Sequence, residues 1–195
     1  MGTHPHKPHA ANRRARTRSA GFTLIEAALT TVIVGTGVLA IVAAQQAYHM
    51  KNEWAQRTGT AMLLANEIRE LTLTLPVHDP ITGANHLGPE PDETGIADYD
   101  DVDDFAGAVS GSGYGAGATF SPPINALRQP LNDLKGWSQV VKVVNVLTDN
   151  ISVSDNMAQP LGTTDLVRVT VRVMHQGPHQ DEPSLVTQLT WLIER

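Results

Sequence analysis

The chain has 195 residues, with 14 Lys and Arg against 20 Asp and Glu for a net charge of −6, and it contains no cysteine. That length allows one modest domain beside any anchor, and the lack of cysteine excludes a disulfide framework. The acidic balance argues against nucleic acid as a partner, because meeting a phosphate backbone needs a basic patch.

Taken in order, residues 1–18 carry five positive charges, Lys7, Arg13, Arg14, Arg16 and Arg18, and no acid. After Glu26 no ionisable side chain follows until His49, so residues 27–48 form an uncharged run of 22. As a helix this run is about 33 Å long, enough to cross a hydrocarbon core of about 30 Å. The basic flank then predicts a single-pass membrane protein with its N-terminus in the cytoplasm and everything after the span outside. Other targeting readings are weaker. Val42-Ala43-Ala44 imitates a secretory cleavage site, although the apolar core of such a signal is shorter than this one. Arg13-Arg14 lacks the flanking residues of a twin-arginine signal, and His4, His6 and His9 form a short metal-binding type of tract.

Gly21-Phe22-Thr23-Leu24-Ile25-Glu26, with basic residues before it and the uncharged run after it, resembles the prepilin signature of type IV pilins, minor pilins and type II secretion pseudopilins. The resemblance covers residues 13–48. It implies that a prepilin peptidase cuts on the cytoplasmic side between Gly21 and Phe22 and methylates the new amino group of Phe22. It also implies that the subunit joins other pilins or pseudopilins through an inner-membrane assembly platform, with Glu26 serving assembly. Loss of the leader, residues 1–21, leaves 9 basic against 20 acidic residues. Many pilins close their C-terminal region with a disulfide, and this chain departs from that pattern.

Glu26 has its own physical argument. An ionised carboxylate is costly to hold in hydrocarbon unless paired, so an acid there is usually functional. The amino terminus of Phe22, in the same or a neighbouring subunit, is its natural partner, and the helix start favours negative charge. The plain alternative is an interfacial Glu that snorkels to water. Within the span, Gly35-Thr36-Gly37 is a place for close helix packing or for local loss of helicity in an assembled filament.

Residues 49–75 continue as an amphipathic helix, with Trp54, Ala61, Ile68 and Leu75 at heptad spacing, Leu64 and Leu71 between them, and Pro76 ending it. This half is expected to pack on a sheet. Residues 76–135 read as a long connection rich in Gly, Pro and Asp, with GSGYGAGATFSPP its most flexible piece. Within it, five acids crowd residues 98–104. Calcium, which takes several oxygen ligands, would suit Asp100, Asp101, Asp103 and Asp104, although the spacing is not that of an EF-hand. A solvated acidic loop is the alternative. YDDVDDF also resembles a segment of minor pilins of the mannose-sensitive haemagglutinin type.

Residues 136–195 read as antiparallel sheet. Run 137–147 is rich in β-branched residues, with an imperfect alternation that suggests a bulge. In 165–175, Val167, Val169, Val171 and Val173 face one way, with Arg168, Thr170 and Arg172 opposite on a half-buried strand. In 184–193, Leu185, Leu189, Trp191 and Ile193 are expected to join the core. No enzyme is indicated: His49, His78, His86, His175 and His179 lack metal-site spacing, Ser110 and Ser112 lack a nucleophile elbow, and GSGYGAG lacks the strand and lysine of a phosphate loop. The sequence therefore predicts an α+β chain: leader 1–21, membrane helix 22–48, head helix 49–75, connection 76–135 and sheet 136–195. Its expected role is a filament subunit. The alternative is a membrane-tethered binding or sensor domain that never enters a filament.

Overall fold

The computed structural model describes residues 21–152 and 157–194. The basic leader residues and the histidines of HPHKPH lie outside them. Contacts divide the chain into two units at residues 49 and 50.

One helix, α1 (Leu24–Leu73), contributes to both. Thr23 starts it, accepting the Glu26 N–H on its hydroxyl at 3.3 Å and the Glu26 and Ala27 N–H groups on its carbonyl at 3.1 Å. Its N-terminal part holds the candidate membrane span, and the apolar side chains there, from Leu24 to Val42, are exposed. The hydroxyls of Thr30, Thr31 and Thr36 are satisfied within the helix. Thr30 donates to the Glu26 carbonyl, Thr31 to that of Ala27, and Thr36 to those of Val32 and Ile33. Hydrocarbon demands that arrangement of any hydroxyl placed in it. The helix runs unbroken through Gly35 and Gly37.

Within the second unit, the buried face of α1 is Ala61, Leu64, Ala65, Ile68, Leu71 and Thr72. Trp54 begins the expected stripe but is 71% exposed, because the core residues on this helix start only at Ala61. The helix ends at Leu73, three residues before Pro76, consistent with the steric demand a proline makes on the backbone preceding it.

The sheet has four strands, β1 (Ala118–Phe120), β2 (Trp137–Val146), β3 (Leu166–His175) and β4 (Ser184–Glu194), in that order and all antiparallel. As expected, the four valines of β3 are buried, and they meet the helix residues in one core. The opposite face of β3 is less open than expected. Arg168 is buried and donates to the Ser152 carbonyl, and Val144, Val146 and Ala158 form a second small cluster with Leu166. That cluster accounts for the imperfect alternation of β2, which pairs with β3 in unbroken register and contains no bulge. The irregularity lies instead between β3 and β4, where Val173 pairs with Thr187 but Met174 with Leu185. A one-residue slip exchanges the two faces of a strand. Val186 accordingly packs against the core, and Leu185 is left 53% exposed.

The glycine-rich piece of the connection is not a flexible linker. It turns back on itself through hydrogen bonds from the Ala116 N–H to the Ala108 carbonyl (3.0 Å) and from the Ser110 N–H to the Tyr114 carbonyl (3.1 Å), and it delivers β1 to the sheet edge. Gly117 has φ +86°, and a Cβ there would lie 2.8 Å from the Val141 carbonyl oxygen, so glycine is required for close approach rather than for mobility.

Helix, sheet and connection meet at Gln139, which is fully buried. Its Oε1 accepts the Ile124 N–H at 2.8 Å, while its Nε2 donates to the carbonyls of Leu64 at 2.8 Å and Ile124 at 3.1 Å. Gln139→Leu leaves the Ile124 N–H without an acceptor and is expected to lower the head's stability by about 2 kcal/mol, read as a shifted urea midpoint at unchanged m-value.

Candidate functional site

Two places carry the sequence-based expectations. The first is the start of α1. Gly21 and Phe22 precede the helix in open backbone, and both are exposed. Glu26 lies in the first turn, also exposed, where the unpaired N–H groups of a helix start favour a carboxylate. Thr23-x-x-Glu26 has the spacing of a capping box, of which the structure shows the Thr23 half, its hydroxyl on the Glu26 N–H.

The second place is the acidic connection. Val102, Phe105 and Ala106 are fully buried, Phe105 stacking edge-to-face between Tyr99 at 5.4 Å and Phe120 at 6.1 Å. The Val102 N–H is held by the Pro76 carbonyl at 2.9 Å. A short 3-10 helix, Asp103–Ala106, follows. Apolar neighbours that enter the core take the acids with them. Asp101 is 1% exposed, Asp103 2% and Asp104 0%, so these three do not form a solvated loop.

The acids do not act as one group. Asp103 turns away from the rest: its Oδ1 accepts the Gly88 N–H at 2.8 Å and its Oδ2 bonds Nδ1 of His78, itself buried. The calcium set expected from sequence therefore loses Asp103. Asp100, Asp101 and Asp104 do converge, one carboxylate oxygen of each lying within 4.8 Å of the others. Asp104 converges equally with Glu90 and Glu93, two residues that spacing within 98–104 could not reveal. Their only sequence signal is the acidity of the neighbouring turn, which contains Glu90, Asp92 and Glu93.

Local hydrogen bonds fix these carboxylates. Asp104 Oδ2 accepts the N–H groups of Asp100 (3.0 Å) and Asp101 (3.1 Å), and Asp101 Oδ1 accepts that of Asp104 (3.1 Å). Glu90 Oε1 accepts the Thr82 hydroxyl at 2.9 Å, and Glu93 Oε2 accepts the Glu90 N–H at 2.9 Å. Burial, followed by the charge of Asp103, pushes the Asp101 carboxyl up to about 8. Burial also raises Glu93 to about 8, with the Asp104 and Glu90 carboxyls adding to it, and raises Asp104 to about 6 with Asp101 contributing. Crowded carboxyls shift this way when nothing positive neutralises them.

Compared with known proteins, the chain matches no family model, no curated protein and no solved structure. What is established is a single N-terminal apolar helix, long enough to span a membrane, followed by a folded α+β unit.

Proposed function

We propose that this chain is a structural subunit, a minor pilin or pseudopilin, cut by a prepilin peptidase between Gly21 and Phe22 and assembled into a type IV pilus or a secretion pseudopilus. The observation that carries the reading is α1 with its preface. A G-F-T-L-I-E hexapeptide leads directly into a 50-residue helix whose N-terminal apolar side chains are exposed and whose C-terminal part is the core helix of a four-stranded head. Phe22, Leu24, Ile25, Leu29, Val32, Ile33 and Leu39 are all exposed. In the bilayer, lipid covers them. A subunit drawn out of the membrane needs another cover, since full burial of each such side chain is worth about 1.5–3 kcal/mol against water. Helices of like subunits supply it, and apolar contact drives the assembly. Before extraction the protein resides in the inner membrane with its N-terminus cytoplasmic and its head outside.

The test is intact mass with N-terminal peptide mapping of the protein purified from its native host. The expected chain begins at N-methylated Phe22. A chain that retains the leader indicates a fixed membrane-tethered binding or sensor domain, and one beginning at Gln45 a secreted protein; either result overturns the filament reading.

A further inference from the structure

Glu90, Glu93 and Asp104 bring three carboxylates from two stretches of the connection together, and Asp104 also belongs to a second such group with Asp100 and Asp101. Such a gathering is common on acidic surfaces, but here a second observation accompanies it. Asp104 is fully buried, and among the described residues its Oδ1 has no N–H or hydroxyl donor. Glu90 Oε2, also buried, is likewise without one. Each of these two residues spends one oxygen on a protein donor, Asp104 on backbone N–H groups and Glu90 on Thr82, and leaves its other oxygen unsatisfied. An unsatisfied buried acceptor is costly, and two among converging carboxylates call for a positive group. The adjoining cavity, about 250 Å³, is lined by Asp79, Glu90, Asp92, Glu93, Asp98 and Asp100, all acidic. Arg128, the basic group that acts on Asp100, gives Nη1 to the Ala97 carbonyl at 3.0 Å.

We propose that Glu90, Glu93 and Asp104, with Asp100 and Asp101 beside them, form a divalent-cation site suited to calcium that ties the 88–95 turn to the buried 99–106 segment. The donor set is all oxygen, which selects a hard cation. Ligand oxygens within 4.8 Å of one another fit a calcium ion bound at about 2.3–2.6 Å. Magnesium binds at about 2.0–2.1 Å in a strict octahedron, which carboxylates from an irregular turn match less well. The cation neutralises carboxyls that otherwise repel, and it fastens the connection onto the core through Val102 and Phe105. Its affinity is expected in the range of extracellular modules, about 10⁻⁴–10⁻³ M. The site stands independently of the filament reading, since it concerns the head alone.

The experiment is thermal unfolding of the full-length chain in detergent micelles, followed by tryptophan fluorescence, with calcium chloride added against EGTA, and parallel titration calorimetry. Calcium at about 10 mM is expected to raise Tm by at least about 3 °C, magnesium by less. Glu93→Gln and Glu90→Gln, both at partly exposed positions, are expected to fold and to weaken calcium binding at least about tenfold. Asp104→Asn should abolish it. A wild-type chain whose Tm and calorimetric heats ignore calcium overturns the proposal, the carboxyls then being satisfied by sharing protons. Undiminished calcium binding in both glutamine variants overturns it as well.

Discussion

Glu26→Ala is expected to leave cleavage and methylation at Phe22 intact while reducing the subunit's recovery in sheared filaments by on the order of 100-fold. The two effects separate because the helix start does not depend on the Glu26 side chain. Thr23 caps the helix through its hydroxyl to the Glu26 backbone N–H, a bond that alanine preserves. What alanine removes is the charge. Among apolar helices a carboxylate remains ionised only with a cationic partner, and on the filament reading proposed above the amino group that cleavage would create at Phe22 supplies it. If Glu26 forms that pair with a neighbouring subunit, its loss leaves a buried amino group unpaired, at a cost of about 3 kcal/mol or more. Glu26→Gln keeps the shape and a hydrogen-bond acceptor, so it should fall between the two. The measurement is the ratio of filament to membrane subunit, with the methylation state of Phe22 read by mass in each fraction. Wild-type incorporation of the alanine variant would reduce Glu26 to an interfacial side chain.

How far the fold was readable depended on whether local pattern or tertiary pairing decided each part. The span, the buried helix face and the valines of β3 follow from periodicity, because burial on one face writes itself into the residues. The fate of Leu185 does not, since it hangs on a slip between two strands that no single strand records. The order of the glycine-rich piece was hidden for a related reason. Glycine serves equally for freedom and for close approach, and only the carbonyl of Val141 above Gly117 decides between them. Likewise the acidic run announced a charged site but not its membership. Asp103 and Asp104 are neighbours in sequence, yet on a 3-10 helix they point to different partners, one to His78 and the other to the Glu90 turn. Spacing could not separate them.

That separation yields the second large effect. Asp103→Ala is expected to destabilise the head by about 3–5 kcal/mol, because it strips a buried histidine and a buried backbone N–H of their common acceptor at once. His78 is already exacting, since among the described residues its buried Nε2 finds no partner and Nδ1 is its bonded nitrogen. The Gly88 N–H donates to Asp103 Oδ1 at 2.8 Å, and truncation removes that acceptor. Asp103→Asn retains an acceptor for Gly88 and should cost less than alanine. Urea unfolding of the full-length chain, read from the buried Trp137 and Trp191, measures both variants. A double-mutant cycle with His78→Ala isolates the pair, and a coupling energy above about 1.5 kcal/mol is expected. The same variant also divides the two acidic roles. Asp103→Ala should lower the baseline stability yet keep an upward shift of Tm with calcium, whereas Asp104→Asn should lose that shift. Baseline loss without loss of the calcium response is what a structural carboxylate produces, and Asp103 belongs to the core rather than to the cation.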